Sequence, residues 1–139
     1  MTMVSDLLAA FNGLDVQKEA LVSISKTSEK FVELNREQLQ FGKRADGSFM
    51  PPYSRTSVIV YGKPSGPIRL YDTGAFQKSF KLDVSSSGVK VVANDIHGLE
   101  ERYSDEIYGL GNTQQEFYNQ EIFLPEFAKS IEAQTGLKL

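Results

Sequence analysis

Phe80-Lys81-Leu82-Asp83-Val84-Ser85-Ser86-Ser87-Gly88-Val89-Lys90-Val91 decides the fold class. Apolar and charged residues alternate on either side of a Ser-Ser-Ser-Gly cluster, the pattern of two antiparallel strands joined by a turn. Phe80, Leu82 and Val84 then face a core while Lys81 and Asp83 face water. The chain around this hairpin reads mostly as helix, so the expected class is α+β.

Upstream, Leu70-Tyr71-Asp72-Thr73-Gly74-Ala75-Phe76-Gln77-Lys78-Ser79 reads as a turn into a short helix. Asp72 and Thr73 offer oxygens to the free N–H groups of that helix, and Gly74 allows the tight turn. Asp72, Thr73 and Gly74 are therefore expected to form a structural turn. Phe76 and Phe80, four apart, point into the core.

Nearer the start, Ser5 is placed to cap a short helix carrying Leu7, Leu8 and Phe11, ended by Asn12-Gly13. Asp15 then caps a long helix whose apolar stripe is Val16, Ala20, Ile24, Thr27, Phe31, Leu34, Gln38 and Phe41. Leu21, Val32 and Leu39 add a shoulder to that stripe. Lys26, Glu29, Lys30, Glu33 and Arg36 mark the solvated face, with Lys26/Glu29, Lys30/Glu33 and Glu33/Arg36 in pairing range. Gly42 closes the helix.

Residues 42–69 form a long arm rich in Gly and Pro, in which Thr56-Ser57-Val58-Ile59-Val60-Tyr61 reads as extended and is expected to join the sheet. A loop this long is commonly functional. Its apolar residues Phe49, Met50, Tyr53, Ile59 and Tyr61 are stranded unless they pack back on the domain or meet another subunit; the second reading makes these five the candidate subunit contacts. Downstream, Asn94-Asp95 opens a helix with Ile96, Leu99, Tyr103 and Ile107 inward, and Gly109-Leu110-Gly111 breaks it. Thr113 with Glu116 forms a capping box for a last helix with Phe117, Leu124, Ala128 and Ile131 inward. Pro125 is expected to kink or restart this helix, and Gly136 to end it.

The composition narrows function by exclusion. A chain of 139 residues suits a single domain, and 40% hydrophobic content with six Tyr and nine Phe supplies a core. A net charge of −3 from 15 basic and 18 acidic residues gives no basic footprint for nucleic acid. With no cysteine and one histidine, disulfides, thiolate sites and multi-histidine metal cages are ruled out. Asp6 and the lack of a basic residue before Leu7-Leu8 argue against a secretory signal. No apolar run approaches the roughly 20 residues of a membrane span. The expectation is a soluble product of a reducing compartment.

Glu100-Glu101 and Asp105-Glu106 read as a hydrated helix face, His97 has no serine placed to use it, and Lys43, Arg44 and Arg55 are ordinary loop cations. No catalytic constellation emerges, and no cofactor or metal is expected. An acid/base enzyme using Glu100, Asp105 and His97 is the weakest alternative.

From Gln38 through Phe80 the chain resembles the virion-morphogenesis, or tail-completion, proteins of long-tailed bacteriophages. The matching elements are Asp46-Gly47-Ser48-Phe49-Met50-Pro51-Pro52-Tyr53-Ser54-Arg55-Thr56, then Lys63, then Leu70-Tyr71-Asp72-Thr73-Gly74-Ala75-Phe76-Gln77-Lys78-Ser79-Phe80. The hairpin follows in the family's place, and Tyr108-Gly109-Leu110 precedes an amphipathic helix as in some phage and prophage variants. Phe49 stands where the family usually has Trp, and two helices follow the hairpin where the family commonly ends in a strand.

The resemblance implies a non-catalytic head–tail connector or neck protein. It would form a homo-oligomeric ring, six-fold by analogy with the tail tube, between head-connector and tail proteins. DNA would pass through the ring without specific binding, and no membrane would be involved. The location implied is the virion neck or tail, after synthesis in the host bacterial cytoplasm. A tail terminator or minor tail protein is the alternative within the class. A small cytoplasmic binding or regulatory module is the alternative outside it.

Overall fold

The computed structural model describes residues 15–63, 66–70 and 74–138. The expected Ser5 helix, and Asp72 and Thr73 of the expected turn, lie outside them. The hairpin forms as read: β1 (Lys81–Ser85) pairs antiparallel with β2 (Gly88–Val92), Leu82 opposite Val91 and Val84 opposite Val89. Two strands alone are marginal in water. This pair is held because Phe80 and Val91 are buried and helices cover one side.

Those helices are α1 (Val16–Lys26) and α2 (Ser28–Gln40). Asp15 caps α1 as expected, its Oδ1 accepting from Lys18 N at 3.0 Å. The single long helix is interrupted at Thr27 (φ −105°, ψ 12°). Thr27 Oγ1 donates back to Ser23 O and lies 2.8 Å from the Tyr118 hydroxyl. Such back-bonding competes with the helix ladder. The buried line runs Ser23, Thr27, Phe31, Asn35, Gln38, with Val32 and Leu39 beside it. Val16 and Phe41, the ends of the expected stripe, are exposed, Phe41 by 74%. Phe41 already belongs to the turn out of α2, so helical phase no longer places it. On the solvated face, Arg36 pairs with Glu29 at 2.7 Å rather than with Glu33.

Residues 56–61 are not extended. They lie within a helix, α3 (Arg55–Tyr61), and the sheet keeps two strands. The β-branched run Thr56, Val58, Ile59, Val60 favours a strand only weakly. Ser54 Oγ accepts the Ser57 N–H at 3.1 Å, and Gly62 stops the helix with φ +67°. Caps at both ends decide the conformation. The arm on either side is pinned to the domain by Met50 N to Gly42 O (2.6 Å) and Ile68 N to Pro51 O (2.8 Å).

Beyond the sheet, α4 (Ala75–Lys78) precedes β1 and α5 (Leu99–Tyr103) follows β2. Asp95 caps α5 with both carboxylate oxygens, on Leu99 N and Glu100 N. The helix thus starts later than Asn94-Asp95 suggests, and Ile96 is exposed rather than inward. Ser104 (φ +77°) ends α5, and a short turn, Asp105–Ile107, buries Ile107 completely. α6 (Asn112–Phe117) and α7 (Leu124–Thr135) form one rod through a π-helical segment, Tyr118–Phe123. Gly111, not Thr113, occupies the N-cap. Pro125, which has no N–H to donate, sits in the first turn of α7, and the wider π turn directly precedes it. That turn breaks the 3.6-residue phase on which Phe117 and Leu124 were expected inward. Both are half exposed and Tyr118 is buried in their place, while Ile131 is buried as expected. Gly136 closes α7 at φ +74°.

Candidate functional site

Two features stand out. The first is a clasp of buried carboxamides that fixes how the C-terminal rod is hung on α2. Asn35 Nδ2 donates to Ile107 O (3.1 Å) and its Oδ1 accepts from Gly109 N (2.9 Å). One turn on, Gln38 Nε2 donates to Gly109 O (3.0 Å) and Oε1 accepts from Gly111 N (2.7 Å). The two side chains pair with the 107–111 backbone as a strand would, satisfying groups that would otherwise be buried unpaired. Gln77, also buried, donates to Arg69 O at 2.7 Å and ties down the end of the arm. The sequence reading placed Gln38 in the stripe and missed Asn35 and Gln77. The available signal was two carboxamides three apart on the apolar side of a helix.

The second feature is the arm's outer surface. Ile59 and Tyr61 on α3 are 69% and 72% exposed, and Val60 between them is nearly as open. Phe49 is 59% exposed, its ring under the Lys43 ammonium at 5.2 Å. Tyr53 is half-buried, with Lys63 Nζ 5.9 Å from its ring. Met50 departs from the expectation: at 2% exposure it belongs to the domain's own core and is not available to another subunit. Its N–H bond to Gly42 O turns the side chain's position inward at the root of the arm. Val60, not singled out in the sequence, joins the exposed set. Gly74 is buried with φ +83°, as the expected turn requires, and caps α4 without a side chain.

The arm's cations differ in their engagement. Arg44 is held by Ser48 Oγ (2.8 Å), Tyr103 O (3.0 Å) and Phe49 O (3.0 Å), which locks the base of the 44–48 turn. Within that turn the Ser48 hydroxyl and N–H both donate to Asp46 and hold its carboxyl below the usual range. Arg55 is exposed at the start of α3.

Glu100 and Asp105 line one hollow, beside Phe31, Val91 and Tyr108. His97 lines a different one with Tyr53 and Phe76. The three side chains of the weakest alternative therefore do not share a cleft. Among the described residues no group of three or more His, Asp and Glu is placed to hold a metal ion. None of the described helices is long and apolar enough to cross a membrane. The chain matches no family model, and no curated protein or solved structure is significantly similar to it.

Proposed function

We propose that this chain is a structural subunit of a tailed-phage or prophage virion, joining the head connector to the tail as part of a homo-oligomeric neck or tail-completion ring. The observation that carries the proposal is the α3 surface, where three consecutive large apolar residues, Ile59, Val60 and Tyr61, stand in water. Three large exposed apolar side chains within one helical turn exceed the singly scattered ones usual on a surface, and such a concentration favours a contact site. It lies inside the stretch, Asp46 through Phe80, whose motifs resemble the tail-completion proteins. Its neighbours Phe49 and Tyr53 belong to the same contact reading.

Complementation tests it. A phage with a stop codon early in this gene is supplied with plasmid-borne protein carrying Ile59→Asp and Tyr61→Asp. The expected result is a soluble, folded variant that fails to restore infectious particles where the natural protein does. Full rescue by the variant would contradict the proposal. If rescue fails and the accumulated tails are abnormally long, the protein is instead a tail terminator.

A further inference from the structure

We propose that copies of this chain join head to tail, with α3 of one copy seated in the groove between α2 and the α6–α7 rod of the next. The inference rests on the ring reading and names its two faces. The groove has a volume of about 510 Å³ and lies beside the point where α2 meets the rod, Phe31 against Tyr118 at 5.0 Å. Leu34, Phe117, Ile122 and Pro125 give it an apolar lining. Phe117, beside the π turn, is 49% exposed and lines the groove.

Charge selects the occupant. Between Asp46 and Asp72 the arm carries Arg55, Lys63 and Arg69 and no acidic residue. The groove is bordered by Glu33, Glu37, Glu121 and Glu126 against Lys30 and Lys129, an acidic excess. Among the described residues none of those four carboxylates forms an ion pair. A cationic, apolar helix and an acidic, apolar groove on one chain are complementary, whereas two α3 helices packed together would bring no carboxylate to either Arg55, since α3 carries none. α3 is about 10 Å long at the helical rise, a short plug rather than a long coil. Because the two faces are different, the contact is heterologous. Repetition generates a ring where the rotation closes.

The absence of cysteine makes cross-linking a clean test. Ile59→Cys and Phe117→Cys are made singly and together in the full chain, checked for folding by circular dichroism, and oxidised. The double variant should give a ladder ending at a closed oligomer. Each single variant should stay monomeric, and an equal mixture of the two should stop at dimer. Arg55→Glu in the double variant should lower the cross-linked yield about tenfold, and Glu121→Arg added to it should restore the yield.

Self-cross-linking of Ile59→Cys alone, or a folded double variant that stays monomeric at every concentration, would overturn the proposal. A stop-codon phage that still yields detached tails would then leave the ring reading standing with another interface. Intact virions from that phage would sink the ring reading whatever the cross-links show.

Discussion

Gln38 Oε1 accepts a 2.7 Å hydrogen bond from the Gly111 backbone N–H, joining residues 73 apart in sequence. With Asn35 one turn earlier, this fixes the start of the C-terminal rod on α2, and hence the groove between them. Gln38→Met keeps the volume but leaves the buried Gly111 N–H and the part-buried Gly109 C=O without their Gln38 partner. Urea titration should show a loss of about 1–3 kcal/mol for each group stranded. Hydrogen exchange at Gly111 should accelerate well before global unfolding.

Gly42 is required twice over. Its φ is +75°, and a Cβ added there would stand 2.4 Å from Pro67 Cβ, where the returning arm crosses the end of α2. Gly47, at φ +86°, has open space around it. Gly47→Ala should show the conformational cost alone, about 1–2 kcal/mol. Gly42→Ala should cost more, because the arm must also move. Equal midpoints for the two variants in chemical denaturation would contradict this.

Met50 and Ile59 belong to one arm and are expected to respond oppositely. Met50→Ala opens a cavity in the core and should lower stability by about 2–5 kcal/mol. Ile59→Ala removes nothing from the core and should stay within about 0.5 kcal/mol. Its effect should appear in assembly. Parallel thermal unfolding and complementation of the two variants checks the split.

At high pH the fold should weaken through two phenols, Tyr118, which is buried, and Tyr108, which is partly buried. Burial, with Asp95 and Glu100 adding to it, pushes the Tyr108 hydroxyl up to about 12. Burial raises Tyr118 as well, against the opposing effect of its hydrogen bond with Thr27. In the unfolded chain a tyrosine ionises near 10, so the unfolded state loses its proton first. This contribution is fully present below pH 10 and is lost as pH rises from there to about 12. Tyr108→Phe should flatten part of that decline in urea midpoints measured against pH.

How far the sequence carried depends on which force decided each element. The hairpin was legible because alternation and a turn cluster agree over residues 80–91. Asp15 and Gly136 were legible because caps are local chemistry. α3 differs from the extended reading because the caps at Ser54 and Gly62 outweigh the strand preference of its β-branched residues. Met50 was misread because its burial depends on a backbone bond to Gly42 that no local pattern announces. The break at Thr27 depends on Tyr118, and the clasp on loop carbonyls seventy residues away; both are tertiary. Pro125 signalled a disturbance, which took the form of a π turn before it. The exposed surface of α3 was half legible: Ile59 and Tyr61 were named, and Val60 was not.

The most direct test of the central claim is electron microscopy of lysates from a phage carrying a stop codon early in this gene. A neck or tail-completion subunit should leave filled heads beside complete but detached tails. Normal virions would contradict that claim.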